Sequence, residues 1–90
     1  METITRKGTK LTVHLAAIHR VPAGHPEPIV EFRYPGGILC SSYYLSTFLE
    51  VPAGEGLWLA GGIDNAQQLE PQQVRACQLQ CQAWMQEMGA

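Results

Sequence analysis

The chain has 90 residues, 46 % of them hydrophobic and 16 % charged, with a net charge of −2. That is one domain with a small core and a stability at the low end of ~5–15 kcal/mol, and it excludes a disordered tail. It also excludes a membrane span, since no run approaches the ~18–20 apolar residues needed, and it makes nucleic acid an unlikely partner, because Arg6, Lys7 and Lys10 are too thin a cluster to displace many phosphate counterions.

The first ten residues, METITRKGTK, are polar and lead into no continuous apolar run, so they do not read as a signal peptide. The expected compartment is the cytoplasm, where thiols stay reduced. The odd set Cys40, Cys77 and Cys81 agrees with that, because it cannot close a disulfide framework by itself.

Residues 9–21 alternate: Leu11, Val13, Leu15 and Ala17 point one way, and Lys10, Thr12, His14 and Ala16 the other. A period of two predicts a half-buried strand. Residues 21–28, with three prolines and a glycine, predict a loop. Residues 28–34 alternate again, with Val30, Phe32 and Tyr34 on one face and Ile29, Glu31 and Arg33 on the other. Pro35-Gly36-Gly37 then predicts a tight turn, so 28–46 should form a hairpin.

Residues 38–51 fit two readings. As a strand they group Leu39, Tyr43, Leu45 and Leu49; as a helix capped by Ser41 they pair Tyr44/Leu45 with Phe48/Leu49. Tyr, Thr and Phe favour strands, and strand is the reading adopted. Residues 52–56 predict a loop, 56–62 a short strand ended by glycines, and 63–68 a connection. Pro71 suits a first helical position and Gly89 the stop after a last turn. Between them Val74, Cys77, Cys81, Trp84, Met85 and Met88 fall on one stripe of an amphipathic helix, leaving Arg75, Gln78, Gln82 and Gln86 elsewhere. The predicted fold is α+β: an antiparallel meander of about four strands packed by one C-terminal amphipathic helix, in a single compact domain over 1–90.

No catalytic constellation emerges. Cys77 and Cys81, four apart on one helical face, could both reach a metal. Structural zinc would then need Cys40 and one of His14, His19 or His25, and no spacing favours this. As part of an apolar stripe the two cysteines read as packing residues. His14 and His19 lie five apart and so face opposite sides of a strand; no nucleophile elbow or orienting carboxylate accompanies them. The glycine pairs in YPGG and LAGGID lack either phosphate-cradle pattern. The eight carboxylates form no acid/base pair in sequence. No cofactor is implied.

What remains is a surface. If Tyr43 faces the helix, Tyr44 faces away, beside Ser42 and Ser46 and, from the neighbouring strand, Glu31 and Arg33. Tyr and Arg are the residues that protein interfaces concentrate. The exposed sheet edge is a second docking element. Together with scarce charge these features point to a non-catalytic protein-binding module acting by surface occlusion through Tyr44, Arg33 and Glu31. Its partner would be another protein, and self-association into a homodimer is compatible with the same surface. Small inhibitor proteins of phages and plasmids, anti-defence proteins among them, share this general profile, which is an argument from class and transfers no residue. Two alternatives stand beside it. One is a metal or small-ligand sensor using Cys40, Cys77, Cys81 and a histidine; the other is a small enzyme whose histidine base works in an intersubunit cleft.

Overall fold

The computed structural model describes residues 1–16, 27–59 and 66–89, with side chains through Glu87. Its main sheet has four strands in the order β1-β2-β3-β4, where β1 is Glu2–Ile4, β2 Lys10–Ala16, β3 Ile29–Arg33 and β4 Leu39–Tyr44. All neighbours are antiparallel, so the sheet is a meander. The expected alternation holds in β2 and β3. Leu11, Val13, Val30 and Phe32 are buried, whereas Lys10 and His14 are exposed. Ala17, His19, His25 and most of the expected 21–28 loop lie outside the described residues.

The hairpin forms as expected. Tyr34 donates its N–H to the Ile38 carbonyl (2.8 Å), and Gly37 donates to the Tyr34 carbonyl (3.0 Å). Gly36 and Gly37 adopt φ of 94° and 93°, a region in which a Cβ would clash with the backbone.

Residues 38–51 turn out to be strand and helix in succession. β4 ends at Tyr44, and α1, Leu45–Leu49, begins at the next residue. Ser41 is a buried strand residue, not a cap; the N-cap position is Tyr44, which makes no capping hydrogen bond. A carboxylate from elsewhere does that work: Glu27 accepts the Ser46 N–H at 2.6 Å. Hydrogen bonds from the Ser46 side chain and backbone hold the Glu27 carboxyl below its usual range.

The expected face grouping within β4 also shifts. The register steps from Phe32↔Ser41 to Arg33↔Leu39, leaving Cys40 as the extra residue of a bulge. Cys40 and Ser41 are consequently both buried, and Leu39, expected on the inner face with Tyr43, is 40 % exposed.

Two strands were not legible as such in the sequence. The polar N-terminus pairs with β2 as β1, with Thr3 and Thr5 turned inward and buried. The stretch expected as a connection, 63–68, runs into β6, Gln67–Leu69, which pairs antiparallel with β5, Leu57–Leu59. The described part of the strand expected over 56–62 thus belongs to a second, two-stranded sheet and not to the meander, and residues 60–62 lie outside the described residues. Gly56, at its start, lies so close to β6 that a Cβ there would stand 2.7 Å from the Leu69 carbonyl. A turn precedes it, in which Glu55 donates to the Pro52 carbonyl at 3.1 Å.

The C-terminal helix α2 spans Pro71–Gly89, beginning at Pro71 as expected and including Gly89 as its last residue. Val74, Cys77 and Cys81 enter the core with Leu11, Val13, Val30, Phe32 and Phe48, and Trp84 and Met85 pack against its rim. Phe32 and Phe48 meet edge to face at 5.7 Å, and Tyr43 lies 6.4 Å from each. Each fully buried aliphatic or aromatic side chain of this set contributes roughly 1.5–3 kcal/mol.

Two glutamines depart from expectation. Gln78, assigned to the solvated side of the helix, is only 4 % exposed. Its amide donates to the Phe48 carbonyl (3.1 Å) and to the Val51 carbonyl (2.9 Å), which lie at and just beyond the end of α1. The Phe48 carbonyl also accepts the Val51 N–H at 3.3 Å, and the Val51 carbonyl lies beyond the helix, so a side chain of α2 completes the hydrogen bonding at the end of α1. Gln67 is also buried and accepts a hydrogen bond from the Thr5 hydroxyl at 2.8 Å.

Candidate functional site: the outer face of the sheet

Because α2 packs on one side of the sheet, the alternate residues of the same strands form the other side. The register arranges them in rows. Ala16, Ile29 and Tyr44 make one row, and His14, Glu31 and Ser42 the next; Glu2, Thr12, Arg33 and Leu39 make the third, and Ile4 with Lys10 the last. The structure therefore brings Tyr44, Glu31 and Arg33 onto one face. Ser42 joins them as expected. Ser46 does not, since it lies in α1.

Arg33 and Glu31 are i, i+2 on β3 and so share the face. They form an ion pair with Nη2 and Oε2 2.9 Å apart. The other guanidinium arm, Nη1, donates to the Gly37 carbonyl at 2.7 Å, tying the pair to the hairpin turn. Arg33 is thus held in one pose by two partners, and little side-chain entropy remains to be lost when something binds it. Tyr44 is 54 % exposed and stands at the opposite end of the face. A shallow depression of about 300 Å3 beside it is lined by Ile29, Ser42, Tyr43, Tyr44 and Thr47.

Several apolar residues on or beside this face were not singled out from sequence. Leu39 and Ile4 are exposed on it, and Ile38 is exposed at its turn end. Leu39 could not have been found without the bulge. Trp58, on β5, is 61 % exposed. Its outward direction was legible, because Leu57 and Leu59 flank it and face in. Its carbonyl accepts the Tyr43 hydroxyl at 2.7 Å, which fixes β5 to the main sheet. Its register partner Gln68 accepts from Arg6 Nη1 at 3.2 Å, and Arg6 also lies 3.4 Å from Glu70.

The cysteines sit on the other side. Cys77 and Cys81 are fully buried. Burial pushes the Cys77 thiol up, and it pushes Cys81 up to about 11, with the neighbouring Cys77 adding to the rise. A thiol must lose its proton to bind metal or attack a disulfide, so both are shifted away from that chemistry. Among the described residues no three His, Cys, Asp or Glu side chains gather as a metal site would need, and the three cysteines do not converge. His14 stands exposed on the outer face next to Glu31 in register, but the Glu31 carboxylate is engaged by Arg33.

Compared with family models, with curated proteins and with solved structures, the chain finds no match in any of the three. Function must therefore be argued from the geometry alone. Among the described residues no helix is long and apolar enough to cross a membrane.

Proposed function

We propose that the chain is a small non-catalytic protein-binding module that works by covering a surface of its partner, with Tyr44, Arg33 and Glu31 in contact. The observation that carries this reading is the outer face itself. A pre-ordered Arg33–Glu31 pair and an exposed Tyr44 share one side of a rigid sheet whose other side is spent on the core. Rigid aromatic and guanidinium groups are the side chains from which interface hot spots are built. The fitting partner is a protein with an apolar recess for Tyr44 and a carboxylate or carbonyl to meet the remaining guanidinium donors. An inhibitor of the anti-defence kind, which occludes its target without chemistry, would need nothing more than such a face.

The metal-sensor alternative is less favoured: among the described residues Cys40, Cys77 and Cys81 form no group of three ligands, and burial raises the Cys77 and Cys81 thiols. No observation favours the intersubunit enzyme.

The test is affinity capture from native-host lysate read by mass spectrometry, followed by Tyr44→Ala combined with Arg33→Glu. One partner recovered near stoichiometrically by the natural sequence and lost by the double variant, with far-UV circular dichroism unchanged, is the expected result. Undiminished capture by the double variant would remove this face from consideration.

A further inference from the structure

Among the described residues β4 is an edge strand of the main sheet, with no strand paired to its free side. Leu45 donates to the Pro28 carbonyl and Tyr34 to the Ile38 carbonyl. Counting by twos along the ladder from Leu45, the backbone groups of Tyr43 and Ser41 point at β3, and those of Ser42 and Tyr44 point away from it. Natural edges are usually guarded by lysine, proline or brevity. β4 has six residues and neither a charged side chain nor a proline. The opposite edge, β1, has three residues, includes Glu2, and is followed by Arg6, which donates its N–H to the Gln68 carbonyl at 2.8 Å.

From this we infer that β4 pairs with β4 of a second copy of the chain, about a two-fold axis through Tyr43, to give a continuous eight-stranded sheet. The register follows from the geometry. An axis through Tyr43 sets Ser42 of each copy against Tyr44 of the other, so the four outward donors and acceptors of each strand meet their equivalents. An axis through Ser42 would set Tyr44 against the bulged Cys40, where the ladder is broken.

What selects a second copy over a foreign strand is self-complementarity, which a two-fold contact requires. The edge carries both a protrusion and a recess. The protrusion is Tyr44, and the recess is the depression of about 300 Å3 between Ile29, Ser42, Tyr44 and Thr47. With Tyr44 of one copy opposite Ser42 of the other, each ring lies over its partner's recess. The strand is uncharged, so two copies approach without like-charge repulsion. The pairing does not rest on the proposed partner protein; it would join two outer faces into one surface.

Sedimentation velocity from ~1 μM to ~1 mM, a span that brackets weak to moderate self-association, tests it together with amide hydrogen exchange at Ser42 and Tyr44. The expected result is a mass rising from 9.9 kDa to twice that value, with exchange at those two amides slowing by about tenfold or more at high concentration. A chain that stays monomeric throughout overturns the inference. So does a dimer in which the Ser42 and Tyr44 amides exchange as in the monomer, or an edge protected only when another protein is added. Ser42→Pro, which deletes one outward donor, is expected to abolish the dimer. Ser42→Lys, which guards the edge without touching the backbone, is the second variant should the first disturb folding. A dimer that survives both sinks the pairing. Arg33 lies on β3, off this edge, so Arg33→Glu should abolish capture of a partner protein while leaving the dimer intact.

Discussion

The two faces of the main sheet are built from the same strands, yet they do opposite jobs. On the inner face Val13, Val30 and Phe32 are sealed under α1 and α2 and contribute stability. On the outer face, one residue along, stand His14, Glu31 and Ser42, exposed or half-exposed, with Glu31 paired to Arg33. A shift of one residue thus separates what folds the chain from what is free to meet another molecule. The contrast also separates two energy scales. Inner positions are worth kilocalories of folding energy, whereas outer positions are close to neutral for folding and matter only when something binds.

The sharpest way to break this contrast is at Phe32. Truncating it leaves a cavity between Tyr43 and Phe48, so Phe32→Ala should cost about 3–5 kcal/mol. For a domain whose whole stability lies near the low end of ~5–15 kcal/mol, that brings the chain to the edge of unfolding. Urea denaturation followed by circular dichroism reads it. A loss below about 1 kcal/mol would mean the core does not centre on these rings.

Gln78 comes next and blurs the contrast, because it is a polar residue doing inner-face work. Gln78→Ala strands the Val51 carbonyl and leaves the Phe48 carbonyl only the Val51 N–H, and the expected cost is about 1–3 kcal/mol. Restoring the amide with Gln78→Asn should not recover it, since the shorter side chain cannot span both acceptors. A variant as stable as the natural chain would show that water replaces the amide there.

The buried thiols give a pH signature. Cys81 ionises near its ordinary 9.0 when unfolded and only near about 11 when folded. Above the unfolded value the unfolded chain releases a proton that the folded chain keeps, so the unfolded state binds fewer protons and stability falls as pH rises. The contribution is fully present below pH 9 and is lost progressively toward about 11. Cys77 shifts in the same direction and adds to the fall. Urea midpoints measured across this window should decline, and Cys77→Ala with Cys81→Ala should flatten the decline. A slope unchanged in that double variant would assign the effect to other groups.

The smallest folding effect belongs to the outer face. Tyr44→Ala should change stability by no more than about 0.5 kcal/mol, because Tyr44 stands mostly in water, whereas Arg33→Glu, which sets a second carboxylate beside Glu31, should cost about 1 kcal/mol. Thermal melts of both variants check this. A drop of several degrees for Tyr44→Ala would make that residue part of the fold, and its effect on binding could no longer be read as contact.

Much of this division was legible in the sequence. The alternation of Leu11, Val13 and Leu15, and of Val30 and Phe32, fixes which way each side chain points, because backbone geometry alone enforces a period of two. The same holds for Val74, Cys77 and Cys81 at the helical period. These rules act between near neighbours, so they can be read from any short window. That is how Tyr44, Arg33 and Glu31 could be placed on one face in advance, even though the strand carrying Tyr44 ends sooner than its composition suggested.

What the tertiary structure alone decided involves contacts between elements. The bulge at Cys40 exists because β4 must keep pairing with β3 on both sides of it, and no local signal marks the extra residue. β1 and β6 are three-residue strands of polar composition; each forms only because a partner strand supplies its hydrogen bonds. Gln78 is buried because α1 ends beneath it, 30 residues earlier in the chain. In each case the free energy comes from satisfying backbone groups between elements, whether the partner is a nearby strand or a distant helix, and the periodicity of one element does not specify that partner. Sequence periodicity determined the faces; pairing between elements determined where each face begins, ends and is broken.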